Sequence, residues 1–313
     1  MTLFDITWRP DRRLFRGGHD PRDPRLGEQV RWRLPDYMSA QFVLIGCPQD
    51  EGVKRNQGRP GARRSPEEIR RSLYRLAATE ALQNLDIFDL GDVLLGYSLE
   101  KTHLKLRKVV RQVLEDDKMP IILGGGNDIS YPDCAALSDV KSDLLVFNID
   151  KHFDVRELHP RNSGTAYRQL LEEGLIAPEN FYEMGSEEFA NSPVYRDYLK
   201  DKGVQVFSLD DLRSEGIETV FQTIIHKTDH KAIFWGFDLD AVRDADAPGV
   251  SAGYPTGLTA KEAMDIMEIA GKETASGVLE FTEVNPDVDI DNRTSKLVAI
   301  LIHTFLSSCA NQS

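Results

Sequence analysis

Residues 144–154 read LLVFNIDKHFD, a six-residue apolar run that ends in Asp150, His152 and Asp154, two positions apart. The run is short, bulky and continuous in apolar residues, which predicts a strand over 144–149 buried on both faces. In an extended chain alternate side chains point the same way, so the two aspartates and the histidine would gather on one side just beyond the strand's carboxyl end.

Similar runs recur on either side: FVLIGC (42–47), DIFDL (86–90), PIILG (120–124), FYEMG (181–185), VQVF (204–207), AIFWGF (232–237) and GVLEFTEV (277–284). Amphipathic stretches of helical length separate most of them. The best marked starts at Ser65, expected as N-cap, with Pro66 at the first helical position and Glu68 closing a capping box. Buried strands with helical crossovers predict an α/β protein with a parallel sheet covered on both faces. Eight strands fit a closed barrel or an open doubly wound sheet, and both gather their chemistry at the carboxyl ends of the strands. The first forty residues differ: WRPDRR, RGGHDPRDPR and RLPDY are rich in Arg, Asp and Pro and predict an irregular arm. No linker or repeat divides the remainder, so residues 1–313 read as one domain.

The net charge of −13 argues against nucleic acid as the main partner, because phosphate binding needs clustered Lys and Arg. Cys47, Cys134 and Cys309 are odd in number and widely spaced, as expected of free thiols in a reducing compartment. No stretch has the roughly 20 apolar residues of a membrane span, and Met1–Pro10 lacks the apolar core of a signal peptide. A cytoplasmic location is the expectation.

Two further strand ends carry the same chemistry. Asp238 and Asp240 repeat the alternate spacing after 232–237, and Asn127 and Asp128 follow the glycine turn 124–126. A single aspartate after a strand is more often a helix N-cap or a solvated loop residue. Four carboxylates brought together need compensation, and two divalent cations would balance their four negative charges. Oxygen ligands with one imidazole suit Mn2+ better than Zn2+, and two such ions would deprotonate a water at neutral pH. The remaining histidines, His19, His103, His159, His226, His230 and His303, stand in no motif.

GGGND (124–128), DKHFD (150–154), DLD (238–240) and EVNP (283–286) occur in the order found in the ureohydrolases, the family of arginases, agmatinases and formimidoylglutamases, which the chain resembles from about Gln41 onward. DEGVKRNQGRPGA (50–62), SGTAYRQ (163–169) and APGVSA (247–252) resemble the formimidoylglutamase branch in particular. The resemblance implies a three-layer arginase-like fold, an open parallel eight-stranded sheet between helix layers, with two Mn2+ sites. It implies Asp150 and Asp238 as bridging carboxylates, His152 and Asp240 completing one site, and Asp154 in the other. That other site has a histidine in the family and Asn127 here, whose amide oxygen is a weaker donor, so it is expected weak or empty. Asp128 is expected to point away.

Glu283 matches the family's acid for the amidine or guanidine cation, and it is expected to act with Asp154 in catalysis. For an acidic substrate the expected binding residues are Arg156 first, then Arg55, Asn56, Arg59 and Ser163, with Arg168 as an alternative. The implied activity is metal-dependent hydrolysis of a linear amidine C–N bond, N-formimino-L-glutamate to L-glutamate and formamide, as in histidine degradation. The partner is then a small molecule, with neither nucleic acid nor membrane, and a homo-oligomer is compatible. Two alternatives stand beside it: a hydrolase of another guanidino or amidino acid, or a non-catalytic binding protein whose metal site Asn127 impairs. Lys151 alternates away from the metal side and receives no role.

Overall fold

The computed structural model describes residues 2–15, 20, 22–157 and 159–311. Its strands are Thr7–Trp8 (β1), Phe42–Gly46 (β2), Ile87–Val93 (β3), Met119–Leu123 (β4), Leu144–Ile149 (β5), Phe181–Ser186 (β6), Gln205–Ser208 (β7), Ala232–Asp238 (β8) and Ser276–Thr282 (β9). They form one sheet in the order β1-β3-β2-β4-β9-β8-β5-β6-β7. The eight expected strands run parallel, and the sheet is open, with edges at β1 and β7. β1 is an addition from the arm: it pairs antiparallel with β3, Thr7 opposite Val93. The arm is therefore less irregular than its composition suggests, and Leu3, Ile6 and Tyr37 bury against that edge.

Side chains alternate between two cores. On β5, Leu145, Phe147 and Ile149 face one helix layer, which includes Ser65–Leu73, Ala260–Lys272 and Arg293–Ala310. Leu144 and Val146 face the other, built on Leu99–Glu115, Ser130–Val140 and Ala166–Glu172. Burial on both faces is why these strands are continuous in apolar residues. No helix among the described residues is long and apolar enough to cross a membrane.

The order of the strands matters most at the centre. β4, β9, β8 and β5 are consecutive neighbours, so segments up to 156 residues apart along the chain end side by side. The register pairs Ile149 with Phe237, which aligns the ends of β5 and β8.

The expected cap at Ser65 does not form. A short 3-10 turn, Ala62–Arg64, runs straight into the helix, Arg64 takes the N-cap position, and the Ser65 hydroxyl donates back to the Ala62 carbonyl at 2.7 Å. Glu68 pairs instead with Arg71 at 3.3 Å.

The same helix is fastened to the sheet by a buried charge. Arg70 lies 2.9 Å from Asp89 and 2.6 Å from Asp92, and its guanidinium donates to the Gly91 carbonyl at 2.9 Å. Tyr74 donates to the same Asp89 carboxylate at 2.5 Å. Removing one partner leaves an uncompensated buried charge. Arg70→Ala is therefore expected to cost about 3–5 kcal/mol in denaturant unfolding. Adding Asp89→Leu should recover part of the loss, and a double variant no more stable than Arg70→Ala would show that the unpaired Asp89 is not its source.

Candidate metal centre

The strands β5 and β8 end in the same device. The Asp150 carboxylate accepts the backbone N–H of His152 at 2.7 Å, and Asp238 accepts that of Asp240 at 2.8 Å. Each first aspartate thus caps the turn after it with one oxygen, while the turn swings the next side chain toward the same point. The N-cap role and a ligand role coexist, because a carboxylate has two oxygens. Asp150 Oδ2 and Asp240 Oδ1 are buried and have no hydrogen-bond partner.

The result is two overlapping groups. Ligand atoms of Asp150, His152 and Asp240 lie within 4.8 Å of one another, and so do those of Asp150, Asp154 and Asp238. Asp150 is common to both, whereas Asp238 stands in the second only. His152 Nδ1 is 3.4 Å from Asp150 and 3.3 Å from Asp240. Orphaned buried carboxylate oxygens converging with one imidazole are a donor set that fits Mn2+.

The protein alone compensates this charge only in part. Burial, then Asp240 and Asp154, push Asp150 up to about 8. Burial pushes Asp154 to about 6 and Glu283 well above the usual carboxylate range. Burial opposes the charging of His152, yet Asp240 and Asp150 outweigh it and push the imidazole up to about 12. Two of the cluster's residues also hold left-handed backbone without being glycine, Asp154 at φ 47° and Glu283 at φ 61°. Such strain costs about 1–3 kcal/mol per residue and persists where the surroundings fix it. The turn at Glu283 ends β9 two residues before the apolar run does, and its carboxylate accepts the backbone N–H of Asn127 at 2.9 Å.

Asn127 departs from expectation. Its amide oxygen is taken by two hydroxyls, Ser130 at 2.9 Å and Thr282 at 2.7 Å, and its NH2 donates to Asp154 Oδ2 at 2.6 Å. The side chain presents a donor to the cluster rather than an oxygen ligand. Asp128 points away, accepting from Gln49 at 2.8 Å and lying 2.7 Å from His103 Nε2.

A cavity of about 380 Å³ opens above the cluster, lined by Asn127, His152, Asp154, Asp238, Asp240 and Glu283, and by a rim from other loops. Asn56, Arg59, Arg156 and Ser163 belong to that rim. Asn56 links two of them, accepting from Arg156 at 2.8 Å and donating to Ser163 at 3.0 Å. Arg59 is less available than expected, because its guanidinium donates to the carbonyls of Ser251 and Val250 at 2.9 and 2.8 Å. Arg55 does not line the cavity: Glu100 at 2.5 Å and Glu51 at 3.4 Å draw it aside. Arg168 is likewise turned away, over the Tyr198 ring at 4.3 Å.

Gln57, Ser251 and Ala252 also line the cavity, and no local spacing in the sequence marks them. Lys151 is wholly buried, its ammonium 4.8 Å from the Tyr254 ring centre and 3.5 Å from the Ala252 carbonyl. It thus braces the loop that carries Ser251. His19 lies outside the described residues.

A model of the arginase family matches residues 40–307. The formimidoylglutamase of Staphylococcus haemolyticus is 32% identical, covering 84% of this chain and 85% of its own. Trypanosoma cruzi formiminoglutamase, solved with Mn2+, superposes with a TM-score of 0.85 at 32% identity, over 92% of this chain and 99% of that one. Bacillus subtilis formimidoylglutamase does so with 0.86 at 28% identity, over 94% of both.

Metal ligation requires ionised carboxylates. With Asp150 at about 8, His152 at about 12 and Asp238 held well above the usual carboxylate range by burial and its acidic neighbours, a metal-free chain at pH 7 carries protons on groups that must lose them to ligate. Mn2+ affinity should therefore rise from pH 6 to pH 8, by about tenfold per unit for each proton released. The folded-state pKa of Asp150 lies above the unfolded one, so this group costs the metal-free protein stability as pH rises toward 8. The gain in Tm from Mn2+ should accordingly be larger at pH 8 than at pH 6. Calorimetric titration in buffers of different ionisation enthalpy checks the first point, and binding without proton release at pH 7 would contradict it.

Proposed function

Because the chain belongs to the arginase family, we propose that it hydrolyses a linear amidine C–N bond, with N-formimino-L-glutamate as substrate and L-glutamate and formamide as products. One observation carries the reading: the cavity over the acidic cluster has a carboxylate, Glu283, at its floor and a guanidinium, Arg156, at its rim. An amidinium presents planar N–H donors that a buried carboxylate accepts in charge-assisted bonds. A glutamate moiety presents carboxylates, which a guanidinium fork binds bidentately. Glu283 and Asp154 would orient the cationic end, and Arg156, held by Asn56, would orient the acidic end.

Asp150, His152, Asp154, Asp238 and Asp240 would hold two Mn2+, which supply a deprotonated water at neutral pH and neutralise the cluster. Asn127 keeps one oxygen of Asp154 occupied with a hydrogen bond, leaving the other for a ligand role. The group of Asp150, Asp154 and Asp238 has no imidazole, which supports weaker binding there than at Asp150, His152 and Asp240. The non-catalytic reading has no observation in its favour.

With Mn2+ present, glutamate release from N-formimino-L-glutamate is the direct assay, and absence of turnover on this and on other amidino or guanidino acids would end the proposal. Glu283→Gln should lower kcat/KM by roughly 100-fold or more. Arg156→Ala should act mainly on KM, by about 10- to 100-fold, since it binds the unreacting end. Mn2+ titration followed by electron paramagnetic resonance should show two unequal steps, and Asn127→His should bring them closer. Two equally tight ions in the parent would refute the inequality.

A further inference from the structure

Beneath the metal centre lies a second acidic group that the proposed reaction does not use. Glu280 on β9 and Asp133 on the helix Ser130–Val140 are both wholly buried, and their carboxyls lie within hydrogen-bonding reach of each other. No Lys, Arg or His among the described residues forms an ion pair with either, and none stands among the groups that act on them. The titratable groups that face them are Asp128, Tyr167, Cys47 and Cys134, none of them a cation. Two touching carboxyls without a counter-ion cannot both be ionised in a dry interior, so they keep at least one proton. Burial pushes Asp133 well above the usual carboxylate range and Glu280 less far, up to about 7, so Asp133 is the more readily protonated of the two and Glu280 keeps a proton at pH 7 only where its other partners favour it.

Ser130 decides where that proton sits. Its hydroxyl oxygen is 2.5 Å from Glu280 Oε1 and 2.9 Å from Asn127 Oδ1, and it has one hydrogen to give. If Glu280 were ionised, it would draw that hydrogen, and the Asn127 oxygen would face the lone pairs of Ser130. If Glu280 is the protonated member, it donates to Ser130, and Ser130 donates onward to Asn127. Only the second arrangement satisfies the amide as it is oriented, with both Ser130 and Thr282 donating to its oxygen and its NH2 on Asp154.

We propose that Glu280 is a protonated positioning residue, which acts through Ser130 to hold the Asn127 amide with its NH2 on Asp154. Hydrogen bonds in series then link a buried acid to a carboxylate of the cluster, and the affinity for the more weakly held ion depends on groups beyond the ligands. The assignment rests on the metal-centre reading above but not on turnover.

The test uses the Mn2+-loaded protein and two readouts that need no substrate. In the infrared at pH 7, Glu280→Gln should remove a protonated carboxyl C=O band that Asp133→Asn leaves in place, beside the bands of the other buried acids. By paramagnetic resonance, Ser130→Ala should weaken the second Mn2+ by about 10- to 100-fold, the usual range for partners that orient a ligand. Glu280→Gln keeps a neutral hydrogen-bonding group and should stay within about threefold of the parent at pH 7. Combining the two should give the Ser130→Ala value, because Glu280 acts through that hydroxyl. Should Ser130→Ala fail to fold, Ser130→Cys, a near-isostere and weak donor, reads the same step. The proposal is overturned if no carboxyl band is lost in Glu280→Gln, or if the Ser130 variant binds Mn2+ as the parent does. A chain that binds Mn2+ yet turns over no amidine would sink the hydrolase reading and leave these two readouts decisive.

Discussion

Four aspartates confined to the aligned ends of two neighbouring strands repel one another, and the organisation of the molecule around them answers that repulsion. The parallel register of β5 and β8 forces Asp150 and Asp238 side by side, and the turns beyond add Asp154 and Asp240. In a dry interior such charges are tolerated only with hydrogen bonds, protons or cations to meet them. The protein supplies backbone N–H donors to one oxygen of Asp150 and Asp238, an imidazole between Asp150 and Asp240, and an amide NH2 to Asp154. It leaves an oxygen of Asp150 and one of Asp240 with nothing. That remainder is the shape of a cation site, and the strained backbone at Asp154 and Glu283 shows what the fold sustains to keep it.

Buried charge recurs away from the cluster, under the same rule with different counter-charges. Arg70 meets Asp89 and Asp92 where the helix Ser65–Leu73 lies against β3. His103 and Gln49 meet Asp128 behind the glycine turn. Asp133 and Glu280 meet no cation, and a proton is what remains. These acids thus meet a base, share a proton, or belong to the cluster that neither serves fully.

What the sequence discloses about this arrangement depends on the range of the interactions. Strand ends with side chains two apart are local, and so Asp150, His152, Asp154, Asp238 and Asp240 could be read before any fold was known. Whether the sheet closed into a barrel was not local, and the family resemblance rather than periodicity pointed to the open form. Arg55 looked like a rim residue because of its place in the glycine-rich loop, yet Glu100, 45 residues on, captures it together with Glu51. Ser65 looked like an N-cap because Pro66 and Glu68 come after it, while the 3-10 turn Ala62–Arg64 before it settled the matter. Lys151 lies just past a strand in which alternate positions face two cores, so no solvent face was available to it, and an aromatic ring and a carbonyl receive its charge instead.

Asn127 shows how far such reading reaches. Its position in a glycine turn is legible, and its neutrality preserves the charge balance that a histidine would give. Its direction is not legible, because an asparagine offers an oxygen and a nitrogen on one rotatable plane, and partners choose between them. Here those partners are Ser130, three residues along, and Thr282, on a strand 155 residues away. A histidine at this point would ligate through a ring nitrogen, whereas this amide as held donates to a ligand. The substitution therefore changes the sense of the interaction as well as its strength, moving Asn127 from the set that binds a cation to the set that positions Asp154.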